Sequence, residues 1–429
     1  MKKIFNETIN EILYYDTFEN GLELYFMPKR GFESKYAVLG VDFGSNDLEF
    51  IPINEKEKIR VSDGIAHFLE HKMFEQPDES NAFDEFSKFG ASANAFTSFT
   101  MTAYLFSATE NFYPSLRHLI NYVQTPYYTE ENVNKEKGII AQEINMYRDD
   151  PEWNVYMNCL KAMYASHHTS IDIAGSVESI NKITPEELYK CYNTFYNPAN
   201  MKLFVVGDLD EDELFNCVRE NNNLERDFEK EIKRFMPSEQ DGINTYRIEE
   251  KFAVSMPLFY IGYKDNPKDS EKTLDRLKKE ISTDILFDII FSESGDLHSQ
   301  LYDSGLITGS IYGGYLSQKD YSYALASGSS NQPDLVKEKI DQYIDELRRN
   351  GIKKSDFEIN KKKKIGGFLK SFDSISFIAN NFLRYMFRGI NFLDYLQVLK
   401  NIELSDIEDR LDNFFLKEKS VISIVSPKK

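Results

Sequence analysis

The chain has 429 residues, which is beyond the roughly 250–300 at which a single hydrophobic core stops growing, so we expect two domains. Its formal net charge is −19, and so acidic a surface repels phosphate groups and disfavours a nucleic-acid partner. The three cysteines are too few for a disulfide framework. Because neither a signal peptide nor an apolar run near the roughly 20 residues of a membrane span is visible, we expect a cytoplasmic protein without a membrane partner.

Strand-like and helical segments alternate along the first half. The predicted strands are 21–28, 36–44, 91–108 (one or two strands) and 201–208, and the predicted helices are 64–74, 80–89, 112–123, 130–147, 153–165 and 185–196. Gly90 is expected to end the second of these helices. Thr184 is expected to cap the last one, with Pro185 at its first position and Glu187 closing a capping box.

The end of the first half repeats at the end of the chain. A displacement of 219 positions superposes Ile183 on Ile402, Leu188 on Ile407, Phe195 on Phe414, Tyr196 on Phe415, Leu203 on Ile422, Val205 on Ile424 and Val206 on Val425. Any helix followed by a strand gives some apolar matches, but this many at one offset favour an internal duplication. We predict an α+β protein of two homologous domains, each a mixed or antiparallel β-sheet packed with helices.

A polar stretch of mixed charge separates the two halves and is the best candidate for a linker. It predicts an N-terminal domain over 1–222, a linker over 223–245 and a homologous C-terminal domain over 246–429.

The chemistry is concentrated in the segment DGIAHFLEHKMFE. His67 and His71 are four residues apart on a predicted helix, so both imidazoles project from one face. Glu70 lies between them, which gives the inverted His-x-x-Glu-His order of a class of zinc proteases. The N-terminal domain is therefore the candidate for catalysis.

Two histidines do not complete a catalytic zinc site, which usually has three protein ligands. The helical segment EKGIIAQEINMYRDD offers Glu136 and Glu143, seven residues apart and so on one face. Alone, these residues would indicate a solvated acidic face. Beside the histidine pair, Glu143 is the predicted third ligand.

These residues resemble the pitrilysin and mitochondrial-processing-peptidase family of zinc metallopeptidases, and in particular its half-length bacterial members. The resemblance extends over the whole chain and is carried by DGIAHFLEHKMFE, GASANAFTSFTMTAYLF, EKEKGIIAQEINMY, IDIAGSVESI and NPANMKLFVVGD. It implies a Zn²⁺ ion held by His67, His71 and Glu143, with Glu70 as the general base. It further implies that Glu136 supports the site without binding the metal.

A peptide substrate can be held as an added strand along a sheet edge. ASANAFTSFT is the candidate, and the resemblance assigns this part to Asn94, Ala95 and Phe96, with Thr97 and Thr102 nearby. Alternatively, Asn94 is an ordinary turn residue.

The second half departs from the family pattern. Many relatives carry Arg-x-x-x-Gly-Leu-x-Tyr where this chain has LYDSGLIT, so that Leu301 replaces the arginine and Thr308 the tyrosine. No second His-x-x-Glu-His is present. Because single-chain relatives are about twice as long, we expect a heterodimer with a related subunit that lacks the zinc motif, or alternatively a homodimer.

The sequence thus predicts a zinc-dependent endopeptidase that cleaves peptides or short unfolded segments in a chamber shared with that subunit. The alternatives are a non-catalytic structural or peptide-binding subunit and a peptidase that matures one dedicated precursor. The lysine run 361–364 is expected to be a solvated helix face. Structural roles are also expected for the remaining histidines: His118, His167, His168 and His298.

Overall fold

The computed structural model describes residues 1–78, 80–223, 232–267 and 272–428. Residues 224–231 of the predicted linker lie outside the described ranges. The chain forms two compact units that are not simply its two halves. Unit 1 comprises Met1–Ile144, Ile171–Met236 and Ser371–Phe387, and unit 2 comprises Asn145–Ser170, Pro237–Lys370 and Arg388–Lys429. The division of the sequence at 222 and 246 stays a prediction.

The described strands are β1 (Lys2–Asn6), β2 (Glu11–Thr17), β3 (Glu23–Pro28), β4 (Lys35–Val41), β5 (Glu49–Phe50), β6 (Ile59–Arg60), β7 (Ser92–Thr97), β8 (Thr102–Ala108), β9 (Met201–Gly207), β10 (Arg247–Phe252), β11 (Leu258–Asp265), β12 (Tyr312–Ser317), β13 (Ser322–Ser329) and β14 (Ser420–Pro427).

The described helices are α1 (Ile65–Lys72), α2 (Ala82–Lys88), α3 (Phe112–Val123), α4 (Glu130–Arg148), α5 (Pro151–Met163), α6 (Val177–Ile180), α7 (Pro185–Phe195), α8 (Glu211–Asn221), α9 (Thr273–Phe291), α10 (Asp296–Asp303), α11 (Pro333–Asn350), α12 (Lys354–Ser371), α13 (Ile375–Phe387), α14 (Tyr395–Lys400) and α15 (Leu404–Asn413). None of these described helices is both long enough and apolar enough to cross a membrane.

The sheets of the two units share one pairing pattern. The strand order is β1-β2-β3-β9-β4-β8-β7 in unit 1 and β10-β14-β11-β13-β12 in unit 2. In unit 1 the β3–β9 pair is parallel and its other strand pairs are antiparallel, and β10–β14 is the parallel pair of unit 2. The run β3-β9-β4-β8-β7 across the first sheet therefore matches the run β10-β14-β11-β13-β12 across the second, strand by strand. This confirms two homologous α+β domains.

The displacement of 219 positions holds in the structure. It carries the start of α7 onto the start of α15 and the start of β9 onto the start of β14. Leu203 lies opposite Leu39 in the first sheet, and Ile422 lies opposite Ile261 in the second. The apolar matches in the sequence are thus equivalent buried positions of the two units.

One glycine in each sheet lies beneath a helix that comes from the other half of the chain. In unit 1, a Cβ on Gly40 of β4 would lie 2.9 Å from Phe387 of α13. In unit 2, a Cβ on Gly262 of β11 would lie 2.8 Å from Cys159 and from Met163 of α5. Each glycine therefore lets a helix approach the central strand closely. Helix α13 comes from the second half of the chain and α5 from the first.

Most predicted boundaries agree with the observed elements to within a few residues. The stretch 91–108 forms two strands, β7 and β8. Gly90 follows α2 with a φ of +72°, as expected for the residue that ends a helix. Helix α5 begins at Pro151 rather than at 153, because Asp150 caps it by accepting hydrogen bonds from the backbone N–H groups of Glu152 and Trp153.

Candidate metal centre

The start of the motif helix α1 is fixed by a close backbone contact. Gly64 precedes the helix with a φ of +88°, and a Cβ there would lie 2.3 Å from the carbonyl oxygen of Ala174. Gly175 has a φ of +73°, and its Cβ would lie 2.4 Å from the carbonyl oxygen of Asp63. Ser179 Oγ also donates a hydrogen bond to Asp63 O, at 2.8 Å. Only glycine permits this approach, and it holds the helix at its first turn.

Glu187 has a different role from the one the sequence predicts. Thr184 caps α7 as expected, since its hydroxyl accepts a hydrogen bond from Glu187 N. The capping box, however, was a wrong prediction. The Glu187 carboxylate accepts hydrogen bonds from Ser62 N at 2.6 Å and from Ser62 Oγ at 3.2 Å. It therefore tethers the segment that leads into α1.

The three predicted ligands converge. His67 and His71 lie on α1 and Glu143 lies on α4, and one ligand atom from each falls within 4.8 Å of the other two. Nε2 of His67 is 3.7 Å from Glu143 Oε1, and Nε2 of His71 is 3.5 Å from Glu143 Oε2. Two imidazoles and one carboxylate are a donor set that suits Zn²⁺ and leaves a fourth position for water.

Further acidic and basic side chains lie beside His71, one member of this triad. His71 Nδ1 lies 3.1 Å from Glu136 Oε1, so the second ring nitrogen of this histidine is held by a carboxylate. Lys72, which is fully buried, forms an ion pair with Glu75, and its Nζ lies 4.0 Å from Glu136 Oε2. Among the described residues, His67 Nδ1 has no such partner.

Glu70 is buried between the histidines, and its Oε2 accepts a hydrogen bond from Thr97 Oγ1 at 2.6 Å. Burial raises the pKa of the Glu70 carboxyl, although the Thr97 hydrogen bond and His71 oppose the rise. A raised pKa suits a group that must both take and release a proton.

The two histidines titrate differently. Burial, reinforced by His71, lowers the pKa of His67 to about 3. Burial alone would also lower the pKa of His71, but the hydrogen bond and the charge of Glu136 outweigh it and raise that pKa. His67 is thus neutral, as a metal ligand must be, over the whole physiological range.

Strand β7 is the edge of the unit 1 sheet within the described part of the chain. Ser98 N donates to Met101 O in the turn to β8, so alternation along the hairpin directs the N–H and C=O of Ala95 away from β8. The Asn94 side chain accepts a hydrogen bond from that Ala95 N–H, at 2.9 Å. The backbone groups of Ala95 thus face the edge of the sheet, where the Asn94 side chain occupies the N–H.

Two of the histidines expected to be structural make structural contacts. His118 Nε2 lies 2.8 Å from Ala82 O, and His167 Nε2 lies 3.2 Å from Asp320 Oδ2. In unit 2, Leu301, at the arginine position of the family pattern, lies on α10 and is buried. Within the described part of the chain, His67, His71 and Glu143 are the group of residues whose ligand atoms lie close enough together to hold a metal ion.

Comparison with known proteins identifies the family. Residues 53–176 match the family described as Insulinase (Peptidase family M16), and residues 182–364 match the Peptidase M16 inactive domain. A Bacillus subtilis protein described as an uncharacterized zinc protease, YmfH, is 42% identical over the full length of both chains. The zinc protease PqqE of Helicobacter pylori is 24% identical over 96% of this chain and 92% of its own. The chain belongs to the M16 family of zinc proteases, the insulinase and pitrilysin family, and this confirms the predicted family and metal.

Solved structures show the same fold. A putative M16-like peptidase from Alicyclobacillus acidocaldarius has a TM-score of 0.93 and 34% identity over 97% of this chain and 99% of its own. Pitrilysin matches 100% of this chain with 46% of its own, at a TM-score of 0.77 and 16% identity. This chain therefore corresponds in fold to about half of pitrilysin.

Proposed function

We propose that this chain is the catalytic subunit of a zinc-dependent endopeptidase that cleaves peptides or short unfolded segments. The observation that carries the proposal is the convergence of His67, His71 and Glu143 within 4.8 Å, beside the buried carboxylate of Glu70. A non-catalytic subunit would have no need of that arrangement. A bound Zn²⁺ would polarise the scissile carbonyl and lower the pKa of water to about 7.

The residues of the chain itself divide the remaining work. Thr97 engages Glu70 Oε2, which leaves Oε1 to accept the proton of the attacking water. Glu70 then delivers this proton to the amine that leaves. The substrate lies extended along Asn94, Ala95 and Phe96 and pairs with the outward-facing backbone groups of Ala95. Its binding displaces the Asn94 side chain from the Ala95 N–H.

We further propose a heterodimer with a related subunit that lacks the zinc motif and encloses the substrate chamber. Two observations support it: this chain corresponds to less than half of pitrilysin, and Leu301 and Thr308 stand where many relatives carry arginine and tyrosine. The partner would supply those two side chains. The cytoplasm fits the three buried, free cysteines.

The test compares peptide-library digestion by the wild type and Glu70→Gln, both purified from the native host with any bound partner. The variant is expected to keep its zinc and to lose at least ~100-fold in rate, the low end of general acid–base catalysis. Glu186→Gln, an exposed carboxylate on α7, is the matched control. Near wild-type cleavage by zinc-loaded Glu70→Gln would refute the assignment, and full activity of the isolated chain would refute the obligate partner.

A further inference from the structure

The Thr97 hydroxyl, at the end of β7 in the hairpin β7–β8, donates a hydrogen bond to the Glu70 carboxylate. We propose that Thr97 is a positioning residue, which fixes one oxygen of the Glu70 carboxylate so that the other faces the ligand triad. The inference rests on the proposed peptidase function. It assigns Thr97 a role distinct from substrate binding, although Thr97 directly follows the predicted substrate residues 94–96.

The backbone around Thr97 is anchored to the segment that follows β4. Ser45 N donates to Ser98 O at 3.0 Å, and Asn46 N donates to Phe99 O at 2.9 Å. A Cβ on Gly44 would lie 2.5 Å from Phe99 O, so glycine is what permits this approach. Both bonds hold the turn immediately after Thr97, and the position of its hydroxyl is therefore set by the core of unit 1 rather than by substrate.

Thr102 leaves the Thr97 proton available to Glu70. The two threonines lie opposite each other on β7 and β8, and their Oγ1 atoms are 3.3 Å apart. Thr102 Oγ1 lies 2.9 Å from the carbonyl oxygen of Phe43, to which it donates its single proton. Thr102 therefore has no proton left to donate to Thr97, and it does not take the Thr97 proton that goes to Glu70. The 2.6 Å bond from Thr97 to Glu70 Oε2 is consequently the contact that orients the carboxylate.

Orientation of this carboxylate matters because its side chain has three rotatable bonds. A misplacement of about 1 Å in a reacting group costs roughly 100-fold in rate. Loss of the Thr97 hydroxyl would let the carboxylate rotate without removing any metal ligand. A substrate contact would instead affect binding of the peptide.

The experiment compares Thr97→Val, which removes the hydroxyl but keeps the shape, with Thr97→Ser, which keeps the hydroxyl. On the complex purified with zinc, Thr97→Val is expected to lower kcat at least ~10-fold, with KM within about 2-fold and zinc content unchanged. Thr97→Ser is expected to retain kcat within about 3-fold. Thr125→Val, at an exposed threonine that bonds Asn121 O, is the control for the substitution itself.

Three outcomes would overturn the inference: wild-type kcat in Thr97→Val, a change confined to KM, or loss of zinc. A crystal structure of Thr97→Val provides a readout that does not depend on activity. The Glu70 carboxylate is expected to leave its wild-type orientation there, and an unmoved carboxylate would contradict the proposal even if no substrate were known. A wild-type complex that holds zinc but cleaves no peptide would instead refute the proposed function.

Discussion

Nδ1 of His71 lies 3.1 Å from Oε1 of Glu136, on the side of the ring away from the metal position. A neutral imidazole carries one N–H, and a carboxylate partner places that proton on Nδ1. Nε2 then keeps the lone pair that faces Glu143 and is free to bind a metal ion. Glu136 thus selects the tautomer of His71, a predicted ligand, from outside the triad of ligand candidates.

Replacing Glu136 by glutamine should therefore weaken metal binding. We expect the zinc affinity of Glu136→Gln to fall by about 10–100-fold, the usual effect of removing a partner of a metal-bound histidine. Competition with a chelator of known affinity measures it. Glu131→Gln, an exposed carboxylate on the same helix, should bind zinc as the wild type does. Equal affinities in the two variants would contradict the role of Glu136.

Gly175, which lies in the contact with Gly64, and Gly138, which does not, should respond differently to replacement by alanine. Gly175→Ala places a Cβ 2.4 Å from Asp63 O at a positive φ, and we expect it to cost about 2 kcal/mol or more in the free energy of unfolding. Gly138 lies inside α4 with no neighbour within 4 Å of its Cβ position. Gly138→Ala should leave stability unchanged or increase it by up to ~1 kcal/mol.

Thermal unfolding of the zinc-free proteins measures both effects, and zinc affinity provides a second readout. Because the contact holds the start of α1, Gly175→Ala should also bind zinc more weakly. If both alanine variants shifted the melting temperature in the same direction, the contact would not be the restraint that we infer.

The convergence of the ligand candidates could be predicted from the sequence because their geometry is largely local. A separation of four residues on a helix brings His67 and His71 onto one face whatever surrounds the helix. Glu143 needed a second helix, and the sequence supplied one with acidic residues on one face. The repeat was visible because both copies keep apolar residues at the same buried positions of a helix and the strand that follows it.

The supports of the site depend on contacts between distant segments, and no periodicity reveals those. Glu187 carries a capping-box signal, yet its carboxylate bonds Ser62 instead, 125 positions earlier in the chain. The sequence also does not reveal that α5 and α13 each pack on the sheet of the other half of the chain. Helix α5 has an ordinary apolar face, which does not indicate which sheet it covers. Gly40 and Gly262 were the available signal, but a glycine inside a strand does not indicate which element packs against it.

Addition of the substrate as a strand along β7 predicts a specific defect for Ala95→Pro. Proline removes the backbone N–H that faces the open edge and leaves the side of the strand that pairs with β8 intact. We expect KM for a cleaved peptide to rise about 10-fold, with zinc content unchanged. Ala95→Ser, which keeps the N–H, should retain the wild-type KM. An unchanged KM in the proline variant would show that the substrate does not pair at this position.

Acid should weaken unit 2 through Glu239. This carboxylate accepts hydrogen bonds from the backbone N–H groups of residues 165–167 and from Lys264 Nζ, whose side chain is fully buried. Burial by itself would raise the pKa of Glu239, but these donors outweigh it and lower the pKa from 4.5 to about 2. Because the folded state has the lower pKa, the stabilisation is complete above about pH 4.5 and is lost as the pH falls towards 2.

Glu239→Gln should therefore lower the free energy of unfolding by about 1–3 kcal/mol at pH 7, the range for hydrogen bonds to a charged group. The difference from the wild type should shrink as the pH falls below 4.5, since the wild-type carboxylate is then progressively protonated in the unfolded chain. Melting temperatures measured from pH 7 to pH 3 test both points. Glu338→Gln, at an exposed carboxylate of the same unit, should match the wild type throughout. A Glu239→Gln deficit that stayed constant down to pH 3 would mean that the charge is not what the three N–H groups and Lys264 recognise.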